Sequence, residues 1–110
     1  MPAIGYVKHD AKTNSYEGAL ATIGLNAPIK ISPNHAKKPG SKQPDFVVHS
    51  GRADVGAGWV KTGKTSGQDY VSLSLASPAL GRRSVYANLG PAAGQDDDSV
   101  FAVIWNADED

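Results

Sequence analysis

Apolar and polar residues alternate with a period of two along most of this chain. Val71, Leu73 and Leu75 alternate with Tyr70, Ser72 and Ser74. Val85, Ala87 and Leu89 alternate with Tyr86 and Asn88, and Ile29 and Ile31 flank Lys30. A strand displays successive side chains on opposite faces, so this pattern predicts strands with one buried face. No stretch of a dozen residues carries apolar positions at helical spacing without an interrupting Gly or Pro. Eight strands are predicted, over 3–8, 14–20, 28–32, 45–49, 54–61, 68–75, 83–89 and 99–105. Val100 to Trp105 is apolar throughout, which predicts a strand buried on both faces. Between the strands, 10–14, 63–67, 77–81 and 90–98 are rich in the residues that turns require. Segment 32–43, broken by Pro33, Pro39 and Gly40, is the longest predicted loop. The expected core comprises Ile4, Ile29, Ile31, Val48, Val71, Leu73, Leu75, Val85, Leu89, Val103 and Trp105.

The two halves of the chain resemble each other. Ile4-Gly5-Tyr6-Val7-Lys8 echoes Val55-Gly56-Ala57-Gly58-Trp59-Val60-Lys61, and Asn14-Ser15-Tyr16 echoes Gln68-Asp69-Tyr70. Ile29-Lys30-Ile31 echoes Val85-Tyr86-Ala87, and Phe46-Val47-Val48 echoes Phe101-Ala102-Val103, at offsets of 53 to 56 residues. A repeat of this length implies duplicated supersecondary units that bury their apolar faces on each other. The predicted fold is all-β. Two pseudo-repeated β-meanders, near 1–50 and 51–105, form one domain as a sandwich or semi-open barrel. Residues 106–110 read as a frayed acidic tail.

Composition narrows the function classes. The 110 residues fit one core, of which 40 % are hydrophobic. The absence of cysteine excludes a disulfide framework and a thiolate metal site, and suits a reducing cytoplasm. No basic-then-apolar leader opens the chain, and no apolar run approaches the roughly 20 residues that span a bilayer, so neither secretion nor a membrane partner is expected. The net charge of zero hides an asymmetry. Residues 1–95 hold all 11 Lys and Arg against five acids, a balance of +6, and the last fifteen residues carry six acids and no base. A basic body of this kind is compatible with an anionic partner, and equally with a solvated surface.

The motifs point away from catalysis. Gly58 to Thr65 fits the G-x-x-x-x-G-K-[ST] pattern of a phosphate-binding loop, but that loop needs a following helix, and here another strand is predicted. His9, His35 and His49 lack metal-ligand spacing, and no serine sits in a G-x-S-x-G elbow. No catalytic residue, metal or cofactor is therefore assigned. The aromatics and bases carry more. Sheets that display aromatics beside Lys and Arg hold single-stranded nucleic acid by stacking and backbone charge. The candidates are Lys37, Lys38, Lys42, Lys61, Lys64, Arg82 and Arg83 for phosphates, and Trp59, Tyr70 and Tyr86 for bases. The competing reading places the aromatics in the core.

Several of these segments together resemble a bacterial family, the "domain of unknown function 736" proteins. The resemblance lies in Ile4-Gly5, Pro44-Asp45-Phe46-Val47-Val48, Val55 to Thr62, Asp69 to Leu75, Val85 to Leu89 and Ile104-Trp105. The chain departs from the family pattern around Ser32–Gln43 and at Gly58, where a bulkier residue is expected. The resemblance implies a small bacterial protein often encoded on plasmids or integrative elements, with no known activity and no catalytic residue to carry over. Two functions are expected. The first is a non-enzymatic, cytoplasmic adaptor or inhibitor that acts on an unidentified protein partner and is free to self-associate. The second is weak binding of single-stranded nucleic acid.

Overall fold

All eight stretches of alternating residues become strands. The computed structural model describes residues 3–65, 67–77, 81, 83–92 and 99–106. In chain order the strands are β1 (Ala3–Asp10), β2 (Ser15–Thr22), β3 (Leu25–Pro33), β4 (Phe46–Ser50), β5 (Ala53–Thr62), β6 (Asp69–Leu75), β7 (Val85–Pro91) and β8 (Val100–Asn106). Each pairs antiparallel with the next, and β8 returns to pair with β1. The sheet is all-β, as predicted. It closes fully on itself into one meandering barrel, so among the described strands none is a free edge that could pair with another chain. Among the described residues there is no helix, and none long and apolar enough to cross a membrane.

Closure sets the size of the residues inside. Eight strands leave an interior just wide enough for side chains to fill. Ile31, Val48, Leu73, Leu75, Val7 and Val103 are its most enclosed large side chains. Glycines make room for them. Gly18 lies between Val7 and Ile29, Gly58 between Phe46 and Leu73, and Gly56 between Val48 and Leu75. A Cβ on Gly18 would run into the carbonyl of Tyr6 and come within 2.7 Å of the Val7 Cα. At Gly58 it would stand 3.0 Å from Leu73 and 3.3 Å from Phe46. The missing bulk at Gly58 is thus made up by its two neighbours.

Eight of the eleven expected core residues are buried, and Ile4 and Val85 pack partly buried against them. Trp105 is the correction, at 41 % exposed. It pairs with Ala87 on β7, but β1 begins opposite Ile104, so no described residue of β1 covers it. A barrel strand also has only one interior face, so β8 is not buried on both. Asn106, expected in a frayed tail, is instead the buried last residue of β8, and 107–110 lie outside the described residues. Val7, Tyr16, Leu20, Phe46, Ala87 and Ala102 are buried without having been expected in the core.

The repeat survives in part. β1 and β5 stand half a circuit apart, with Gly5 and Val7 facing inward like Gly58 and Val60, and Tyr6 and Lys8 outward like Trp59 and Lys61. Phe46, the first residue of β4, and Phe101, the second of β8, both line the interior at one end of the barrel. The matched tyrosines do not correspond. Tyr16 is interior, whereas Tyr70 precedes buried Val71 and belongs to the outer face.

Candidate functional site

An antiparallel meander returns to the same end with every second connection. The described connecting residues 11–14, 34–45, 63–65, 67–68, 92 and 99 therefore share one end of the barrel, here called the upper end. Residues 23–24, 51–52, 76–77, 81 and 83–84 share the lower end. At the upper end the interior is unfilled. An open cavity of about 540 Å³ lies between the strand ends, lined among others by Tyr16, Phe46, Val60, Val71, Leu89 and Phe101. Val60 faces this mouth and is 47 % exposed, a large share for an interior-facing valine. Asn14, Gln68 and Asp69 bring polar groups to the rim.

An aromatic cluster forms one wall. The Tyr16 ring stands 4.6 Å from His9, 5.6 Å from Phe101 and 6.0 Å from Phe46, centre to centre, the two phenylalanines edge-on. His9 is held in turn, its Nε2 lying 3.0 Å from the Asn14 Oδ1. Asn14 has a left-handed backbone at φ 52°, which an asparagine adopts more easily than most residues. Burial raises the Tyr16 phenol above its ordinary pKa, so the hydroxyl is a neutral donor and acceptor.

The long connection between β3 and β4 is strapped beside the mouth. The Asn34 backbone N–H donates to the Asp45 carbonyl at 2.9 Å, and its side-chain amide to the Pro44 carbonyl at 2.9 Å. The Asp45 carboxylate accepts from Lys37 Nζ at 2.6 Å and from the Val60 backbone N–H at 2.8 Å. These two bonds, Lys37 first, hold the Asp45 carboxyl below the ordinary carboxylate value. The Trp59 indole N–H donates to the Lys42 carbonyl at 3.2 Å.

The candidate nucleic-acid residues separate. Lys37, Lys38, Lys42, Lys61 and Lys64 belong to the upper end, and Lys37 is already paired with Asp45. Arg83 is exposed at the lower end, just before β7, and Arg82 lies outside the described residues. The aromatics come together better. Trp59 pairs with Ser72, Lys61 with Tyr70, and Ser74 with Tyr86, so all three rings and one lysine share the outer face of β5 to β7. They are half-buried rather than fully displayed. Tyr6, on the outer face of β1 and 54 % exposed, is the most exposed described aromatic and was not among the candidates.

Gly58 to Thr65 runs along β5 into a turn, where the Gly67 N–H donates to the Gly63 carbonyl and the Gly63 N–H to the Gln68 carbonyl. β6 follows directly, so the lysine of the phosphate-loop pattern sits on a hairpin tip. His49 Nδ1 lies 2.8 Å from the Asp54 carboxylate on the barrel's outer surface. Among the described residues no three His, Asp or Glu cluster to hold a metal ion. The mouth was missed from the sequence because its residues come from the ends of six different strands. The one available signal was the repeated phenylalanine near the start of both β4 and β8.

The molecule is thus a small closed antiparallel barrel with an apolar, aromatic-walled opening at one end. Residues 3–108 match the family described as "Protein of unknown function (DUF736)", and the chain belongs to that family. No curated protein and no solved structure matches it.

Proposed function

We propose that this chain is a non-enzymatic binding module that engages a partner protein through the upper mouth of its barrel. The observation that supports this most is the open apolar cavity, in which an interior valine, Val60, stays about half exposed. Apolar surface left open in a concave site favours a partner that covers it. Closure of the sheet argues against the other common mode, addition of a strand to an edge. Two ionisable groups near the mouth are committed elsewhere, Asp45 to Lys37 and Val60, and His9 to Asn14. The role as a cytoplasmic adaptor or inhibitor encoded by a bacterial mobile element rests on the family resemblance and the cysteine-free chain. Affinity capture from the host, with nucleic acid retained and then digested, tests the reading. A protein partner is expected with the wild type and not with Val60→Trp, which fills the mouth. Capture that survives Val60→Trp sinks the placement.

A second reading is weak binding of single-stranded nucleic acid. It is favoured by Trp59, Tyr70, Tyr86 and Lys61 sharing the outer face of β5 to β7. It ranks lower because Lys37 is neutralised and Arg83 stands at the opposite end.

A further inference from the structure

The mouth contains a polar group that the fold itself does not use. Tyr16 is 9 % exposed and lines the cavity. Its hydroxyl makes no hydrogen bond to any described residue, and the rise in its pKa comes from burial alone. The oxygen is not sealed in, because the described side-chain atom that is both sealed and unpartnered is Asn88 Oδ1. The Tyr16 hydroxyl is therefore within reach of solvent, on a residue that lines the cavity. Its ring is packed against His9, Phe46 and Phe101, which fixes where the hydroxyl stands. A guest that fills the cup displaces water from this hydroxyl, so the mouth favours a ligand that brings one polar atom on an otherwise apolar body to replace that hydrogen bond.

We propose that the mouth takes a tyrosine or tryptophan side chain of the partner, its ring among Phe101, Val60 and Leu89 and its hydroxyl or indole N–H on the Tyr16 hydroxyl. This rests on the reading that the partner binds at the mouth. The cavity volume of about 540 Å³ lies in the usual range for sites that enclose a small organic group. Aromatic walls suit an aromatic guest, which packs edge-on or offset against them. An aliphatic anchor would leave the Tyr16 hydroxyl desolvated and unpaired. A nucleotide fits worse. The lining holds no Lys or Arg among the described residues, and its one acid, Asp69, would repel a phosphate. That carboxylate, which accepts the Thr62 hydroxyl at 2.7 Å, instead suits the backbone N–H groups that flank a peptide anchor.

The test needs no partner. The full ¹⁵N-labelled chain is titrated with 4-methylphenol and with indole, the polar-tipped probes, and with toluene and adenosine monophosphate as controls. The polar-tipped probes are expected to shift the amides of Tyr16, Val60, Val71, Leu89 and Phe101 at millimolar concentration. Toluene is expected to bind about tenfold more weakly. Tyr16→Phe should bring 4-methylphenol down to the level of toluene, and Val60→Trp should abolish both while the spectrum stays dispersed. Equal binding of toluene and 4-methylphenol by the wild type overturns the proposal. So does the absence of shifts at the mouth, or adenosine monophosphate occupying it in preference. Failure of the probes sinks this inference alone, whereas capture surviving Val60→Trp sinks the partner reading.

Discussion

Asp45 shows how much one side chain organises here. It ends the longest connection, and its two carboxylate oxygens tie Lys37 to the backbone of β5 beside the mouth. The pairing of Asp45 with Lys37 is partly exposed, so solvent screening limits what the charge adds. The hydrogen bonds carry most of the effect. A carboxyl whose folded pKa is depressed adds stability that is complete above its unfolded value, about 3.9, and is lost as pH falls through the folded value. Asp45→Asn keeps one acceptor for Val60 but loses the charge. It is expected to lower stability by about 1 kcal/mol at pH 7. The gap to the wild type should close as the pH falls below about 4, followed by urea melts across pH. A gap independent of pH would contradict the role given to the charge. At this scale the sequence is legible where alternation decides the outcome, as at Leu73 and Leu75, and illegible at chain ends. Trp105 continues the pattern of β8 yet lies beyond the start of β1, a matter of register that no local pattern encodes.

At the scale of elements, the strands were readable because a period of two can satisfy only one side of a sheet at a time. Three of the turns were readable because Asn14, Gly67 and Gly81 take left-handed backbones that few other residues accept. The register between the two halves was not. Matching Tyr16 to Tyr70 by sequence places one residue inside the barrel and the other outside, since a shift of one residue reverses the face. The same logic disposes of the phosphate-loop pattern. Cradling a phosphate takes a row of free amides at a helix start, and here the Gly63 and Gly67 amides are bonded within the hairpin turn. Lys64 stands exposed on that turn with no such cradle beneath it. Lys64→Ala is expected to leave the affinity for ATP and Mg²⁺ at the background level of the wild type, measured by calorimetry. Tight Mg²⁺-dependent binding by the wild type that the substitution removes would refute this.

For the whole molecule, closure decides what is available to partners. Pairing of β8 with β1 removes both sheet edges and leaves two ends, of which the upper one is open and apolar. Neither fact was legible, because closure and the mouth both depend on residues far apart in sequence, such as Val7 beside Phe101 and Tyr16 beside Phe46. Closure also splits the basic residues that the linear chain seemed to pool. Lys61 and Lys64 belong to one end and Arg83 to the other, across the full length of the strands. A single strand of nucleic acid lying on the outer face of β5 to β7 would meet Lys61 beside Tyr70, and would reach Arg83 only by running past Tyr86 to the lower end. The salt dependence of binding separates these cases, because each phosphate contact adds roughly 0.7 to the log–log slope for single strands. With oligothymidylate titrated between about 50 and 200 mM salt, Lys61→Ala is expected to reduce the slope by about one contact and Arg83→Ala to leave it unchanged. An equal reduction by both would mean that the strand runs the length of the barrel. No binding by the wild type at micromolar protein and about 50 mM salt would refute the nucleic-acid reading outright.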